Sequence, residues 1–213
     1  MKTDDLINAL AADTATQKRP ISQTIALAIA TGCIVSAALL IGHLGVRTGL
    51  VETIMQSWHL VTKIAFTLAL AIPAYFIVQR AARPDGEAQS LWPLLAIAPA
   101  MLLAAVGFEF MTGANDDVSN VIMSPNWSVC VIHIPLLSMA PLAAVLCALK
   151  QGAPANPTLA GAFGGLFSAA LGSVLYATFC DADNPMFVAV WYTVAILAMT
   201  ALGALLGSRI LRW

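Results

Sequence analysis

The chemistry available to this 213-residue chain is concentrated in four cysteines and three histidines, and two of the cysteines stand apart by their spacing. Cys130 and Cys180 flank a short proline-containing segment, Lys150 to Pro157, lying 24 residues before and 26 residues after Pro154. If that segment is a tight turn, it hinges two antiparallel neighbouring helices. At a rise of 1.5 Å per residue, the two thiols then differ in height by only about 3 Å. A disulfide also needs Cα atoms within about 7 Å, closer than the usual spacing of about 8 to 10 Å between helix axes.

Three chemistries fit the pair. The thiols can be inert packed groups, a redox couple, or part of a soft-metal site completed by His133, three residues from Cys130 on the same helical face. No C-x-x-C is present, which counts against a catalytic thiol oxidoreductase. Asp181 and Asp183, beside Cys180, are expected to raise its thiol pKa and slow it as a nucleophile. Cys33 and Cys147 read as small hydrophobes.

The elements that must position these groups are membrane helices. Hydrophobic residues make up 60% of the chain and charged residues 10%, against roughly 25% charged in a soluble domain. The net charge of -1 offers no basic field for nucleic acid. Six nearly uncharged runs, 24–42, 60–78, 91–110, 128–149, 158–179 and 186–207, are each about as long as a helix that crosses a bilayer. Their lack of strict alternation excludes an outer-membrane barrel. The expected fold is an all-α integral membrane protein, a bundle of six transmembrane helices solvated by lipid.

Orientation follows from the basic residues. With the N-terminus inside, Lys2, Lys18, Arg19, Arg80, Arg83, Lys150, Arg209 and Arg212 are cytoplasmic, and only Arg47 and Lys63 are outside. This asymmetry selects both termini in the cytoplasm. Cys130 and Cys180 then lie at the outer face, which in bacteria is the oxidising periplasm. Ala30-Thr31-Gly32-Cys33 loosely resembles a lipoprotein cleavage site, but the apolar run continues to Ile41, as in an uncleaved span.

Two regions divide the chain: a cytoplasmic tail, 1–23, and a six-span membrane domain, 24–213. In the tail, Thr3 can cap a short helix with Asp4 and Asp5 in its first turn. Leu6, Ile7 and Leu10 form a narrow apolar stripe. Such a tail either serves only to set topology or orders against a partner groove.

The span interiors hold no Asp, Glu, Lys or Arg, which argues against ion-coupled transport but not against a passive pore. Lys63 and Glu109, near outer ends, are expected to reach headgroups or water. Pro73, Pro93, Pro99, Pro135 and Pro141 are expected to bend their spans. Small residues recur as Gly161/Gly165, as Gly164/Ser168/Gly172 and as Gly203/Gly207, ridges suited to close packing within the bundle or to a homodimer face.

Three stretches carry a family resemblance. They are Thr3-Asp4-Asp5-Leu6-Ile7-Asn8-Ala9-Leu10-Ala11-Ala12-Asp13; the run Ile134-Pro135-Leu136-Leu137-Ser138-Met139-Ala140-Pro141-Leu142 through Lys150-Gln151-Gly152-Ala153-Pro154; and Cys180-Asp181-Ala182-Asp183-Asn184-Pro185-Met186-Phe187-Val188-Ala189-Val190-Trp191-Tyr192. Together they resemble the NrsF family of membrane anti-sigma factors, over nearly the whole chain and most densely after Trp127. The resemblance implies a multi-pass protein of the bacterial inner membrane. It is a regulator rather than an enzyme, needs no cofactor, and holds an extracytoplasmic-function (ECF) sigma factor inactive through its cytoplasmic tail.

On that reading Asp4, Asp5, Leu6, Ile7, Leu10 and Asp13 contact the sigma factor. Cys130 and Cys180 match a pair of outer-side cysteines associated with sensing redox or heavy-metal stress. His133 receives no role from the resemblance. The competing functional classes are a membrane thiol–quinone oxidoreductase and a small channel or exporter.

Overall fold

In lipid a backbone must satisfy its own hydrogen bonds, so long apolar runs without strand periodicity become helices. The computed structural model of the protein describes residues 20–45, 49–83, 88–112 and 118–212, and within them six helices are long and apolar enough to cross a membrane. They are α1 (Ile21–His43), α2 (Trp58–Ala81), α3 (Trp92–Thr112), α4 (Trp127–Leu149), α5 (Pro157–Ala177) and α6 (Pro185–Ile210). Short helical segments, Leu50–Gln56 and Val118–Ile122, precede α2 and α4. Each apolar run read from the sequence falls on one of these helices.

The hub is α5, which packs against α2, α4 and α6, while α1 lies along α4 and α3 leans on α2 at the periphery. Glycine decides how close the neighbours come. A Cβ on Gly161 would meet Gly207 Cα at 2.7 Å, and one on Gly165 would meet Gly203 Cα at 3.1 Å. These residues, with Gly203 and Gly207, form the α5–α6 seam. The second ridge faces α4, where a Cβ on Gly164 would touch Val145 and one on Gly172 would overlap the Ser138 hydroxyl. Both ridges are thus used for packing inside the chain, on different faces of one helix.

Proline shapes the other contacts. Pro141 has no N–H to give to the carbonyl one turn earlier. That carbonyl, Leu137 O, instead accepts a hydrogen bond from Ser36 Oγ at 2.6 Å, tying α1 to α4. Pro93 and Pro99 flank the interruption of α3 at Ala96. Asn156 caps α5, its Oδ1 accepting from Leu159 N at 3.1 Å, with Pro157 at the first helical position. The turn before it docks on the end of α2, Ala153 N donating to Ala82 O at 3.2 Å.

One irregularity had no signal in the sequence. The start of α6 winds as a π-helix over Val188–Tyr192, placing Tyr192 wholly inside the bundle.

Candidate functional site

The tight turn sets the register of α4 against α5 and brings the thiols to the same height, as the count of residues predicts; the facing of the two helices then brings them together. Cys130 Sγ and Cys180 Sγ lie 3.9 Å apart, both buried and both free. Cys130 sits one turn into α4. Cys180 follows the end of α5, where its N–H donates to Tyr176 O at 3.0 Å. The close approach depends on the glycine ridge: two turns below the thiols, Gly172 lets α4 lie against α5 with Ser138 over the bare Cα.

Tyr176 and Lys63 complete the surroundings. Cys130 Sγ lies 3.4 Å from the Tyr176 hydroxyl, within reach to donate. Lys63, from α2, is 1% exposed instead of reaching toward the headgroups. Its ammonium donates to Cys180 O at 2.9 Å, to Ala182 O at 3.3 Å and to Asp183 Oδ1 at 2.8 Å. An ammonium has three N–H donors, and all three go to the four-residue link that begins at Cys180. Beneath it, the Tyr192 ring centroid is 5.6 Å from Lys63 Nζ.

Electrostatics at Cys180 run opposite to the expectation from its neighbours in sequence. The thiol is lowered to about 6, first by a hydrogen bond from Cys130 and then by Lys63, against the opposing effect of burial. The two aspartates do not prevail because each is engaged elsewhere. Asp183 is paired with Lys63, and Asp181 Oδ1 accepts from Asn126 Nδ2 at 2.7 Å. Glu109 is likewise buried rather than in headgroups, its carboxylate 2.7 Å from His59 Nε2.

His133 is not gathered with the sulfurs into a ligand set. Its Nδ1 lies 2.9 Å from Val129 O, and its ring stacks between His43 and Tyr176. Among the described residues no group of three or more His, Cys, Asp or Glu side chains is placed to hold a metal ion. The tail residues Asp4, Asp5, Leu6, Ile7, Leu10 and Asp13 lie outside the described residues.

Above the link, a cleft of about 540 Å³ is bordered by Ser57, His59, Asn120, Ser124, Asp181 and Asp183. The link leaves it through Asn184, whose Oδ1 accepts from Met186 N at 2.9 Å and starts α6. Trp191 Nε1 donates to Ile122 O at 2.8 Å, fastening the π-helical segment to the chain ahead of α4. Sequence reasoning missed Lys63, Tyr176 and Tyr192. A lysine at the fourth position of an apolar run was the available signal, since charge in a span usually has a named partner.

A two-thiol site of this kind can lose two electrons and two protons to form a disulfide, or bind a thiophilic cation through both sulfurs. Comparisons with known proteins bear on which process the chain serves. Residues 10–213 match the family described as NrsF, negative regulator of sigma F. The chain is 33% identical over 216 residues to the probable anti-sigma-F factor NrsF of Azospira oryzae, with all of both chains covered. It is 32% identical over 215 residues to the anti-sigma-F factor NrsF of Caulobacter vibrioides, again with full coverage of both. No solved structure matches.

Proposed function

This chain belongs to the NrsF family, the negative regulators of sigma F, and we propose that it is an inner-membrane anti-sigma factor switched by thiol chemistry at its outer face. The tail, residues 1–23, is cytoplasmic and sequesters an ECF sigma factor. Leu6, Ile7 and Leu10 enter an apolar groove, and Asp4, Asp5 and Asp13 face a basic rim. The charge asymmetry of the loops supports this orientation. The regulatory names of the relatives weigh against the oxidoreductase and exporter readings.

The observation that carries the proposal is the buried pair, Cys130 and Cys180, at 3.9 Å. It stands where α4 and α5 meet, at the end of the bundle opposite the start of α1. A disulfide or hydroperoxide oxidant takes two electrons from the pair. Both thiol protons leave, the S–S bond forms, and the oxidant departs as two thiols or as water and an alcohol. The sulfurs must close to about 2.0 Å, which moves α4 against the link that Lys63 holds. A thiophilic divalent cation bound by both sulfurs displaces the same two protons and makes a related demand on the packing. A tenfold release of the sigma factor needs only about 1.4 kcal/mol of coupling between the two ends.

A sigma-dependent reporter tests both halves. Cys130→Ser and Cys180→Ser are expected to repress normally and to lose induction by thiol stress; normal induction contradicts the switch. Deletion of residues 1–13 is expected to release the reporter constitutively; continued repression contradicts tail docking.

A further inference from the structure

Lys63 has the most fully specified geometry at the site. A buried ammonium is costly unless paired, and a lone lysine near a span end ordinarily extends its stem toward water. Lys63 does neither. Every donor it has is committed, and every acceptor belongs to residues 180–183: two backbone oxygens and one carboxylate oxygen.

This link is also fastened at its two ends. Cys180 N closes on Tyr176 O, and Asn184 caps α6. Between those points, Asp181 bonds to Asn126 and the remaining anchor described above is Lys63. The carbonyl of Cys180 itself is one of its acceptors, so the ammonium acts on the backbone that carries the thiol.

Lys63 also belongs to a continuous helix that ends on the opposite side of the bundle. Nineteen residues separate it from Ala82, about 28 Å of helix. There Ala82 O accepts from Ala153 in the α4–α5 turn, and Gly152 lies so close to the same carbonyl that a Cβ would collide with it. Arg80, two residues earlier, donates to Ser90 Oγ at 2.7 Å. One rod therefore touches the thiol link at one end and the turn that sets the α4–α5 register at the other.

We propose that Lys63 is the positioning residue of the thiol pair: it holds the 180–183 link so that Cys180 stays in reach of Cys130, and it couples that link to α2. This deepens the switch reading and rests on it. Lys63 touches no reacting sulfur in this account; it acts through the backbone of Cys180 and, across space, through its charge.

The test uses the full chain in membrane vesicles, with diamide as oxidant and peptide mapping of the 130–180 crosslink as readout. The Cys180 thiolate adds to the N=N bond, the adjacent nitrogen taking a proton. Cys130 sulfur then attacks Cys180 sulfur, the S–S bond forms and the S–N bond breaks. The hydrazine leaves with the second proton and both electrons.

The variant of choice is Lys63→Met with Asp183→Leu, which removes both charges and leaves no buried carboxylate unpaired. It is expected to crosslink at least tenfold more slowly than the native chain, with its rate rising only at higher pH. Asp183→Asn keeps an oxygen acceptor for the ammonium and is expected to stay within about threefold of the native rate. After exhaustive oxidation, the double variant is expected to retain a sigma factor that the native chain has released.

A native chain that forms no 130–180 crosslink overturns the oxidative switch on which this role rests. A native chain that does, beside a double variant with the same rate and the same pH dependence, overturns the role of Lys63 alone. Release of the sigma factor by the oxidised double variant, equal to that by the native chain, overturns the coupling through α2.

Discussion

The two faces of α5 are built from the same small residues and serve different ends. Toward α6, Gly161, Gly165, Gly203 and Gly207 bring two backbones together with nothing titratable at the contact. Toward α4, Gly164, Ser168 and Gly172 begin the same way, but the contact rises into Ser138, Tyr176, two thiols and an ammonium. The hydroxyls of Ser173 and Tyr192, near that upper end, are buried with no hydrogen-bond partner among the described residues. An unsatisfied buried hydroxyl costs on the order of 1–3 kcal/mol. One seam is optimised for adhesion, whereas the other carries polar groups that packing alone does not need. Polar groups kept in an apolar bundle mark where function is to be sought.

The sharpest way to break this contrast is to load the adhesive seam. Gly203→Leu places a side chain where even a Cβ meets Gly165 Cα at 2.8 Å, and backbone cannot yield cheaply. The expected result is loss of the folded protein from detergent extracts, followed by size-exclusion chromatography. A well-folded Gly203→Leu protein with an unchanged thermal midpoint contradicts the role given to the seam.

The α4–α5 face should fail differently. Gly172→Ala pushes against the Ser138 hydroxyl, an obstacle that can be removed. The single variant is expected to fold, to lose about 1–3 kcal/mol through overpacking, and to crosslink Cys130 to Cys180 roughly tenfold more slowly. Adding Ser138→Ala removes the nearest obstacle, leaving Ile134 O at 3.0 Å and Ser138 N at 3.2 Å, and should recover part of both losses. No recovery in the double variant means that helix spacing is not what brings the sulfurs together.

Acidity gives a smaller effect with a definite sign. A Cys180 thiol lowered to about 6 is mostly thiolate above pH 6 and protonated below it. Its oxidation rate by diamide should therefore change less than about twofold between pH 7 and 8. A thiol near the ordinary value of about 8.5 would gain several-fold over that interval. The several-fold gain, if measured, returns the aspartates to control of the site.

Smallest of all is Tyr192→Phe, which deletes an unpartnered hydroxyl and keeps the ring under Lys63. Its thermal midpoint is expected to stay level or rise slightly. A clear fall shows that the hydroxyl has a partner it cannot spare.

What could be read beforehand followed a physical rule of range. Six helices long and apolar enough to cross a membrane were legible because each is specified by its own twenty-odd residues. The matched height of Cys130 and Cys180 was legible because a tight turn at Pro154 converts chain distance into height, whereas their lateral approach was not. The faces of the two glycine ridges were not, since rotation about a helix axis depends on all neighbours at once. Lys63 was misread for the same reason. Near a span end a lysine ordinarily reaches outward, and its partner Asp183 lies 120 residues away in sequence. The acidity of Cys180 follows the same rule: the Cys130 hydrogen bond and the Lys63 ammonium that lower it come from segments distant in sequence, and they outweigh the adjacent aspartates.

The claim that joins the two ends of the molecule is that the state of the sulfur pair governs the hold on the sigma factor. It is tested by capturing the solubilised full chain with its sigma factor, fully reduced in one arm and with the 130–180 crosslink formed in the other. The account predicts stable capture by the reduced chain and at least tenfold less by the crosslinked one, with Cys130→Ser capturing equally whether reduced or treated with the same oxidant. Equal capture by the reduced and crosslinked native chain would contradict it.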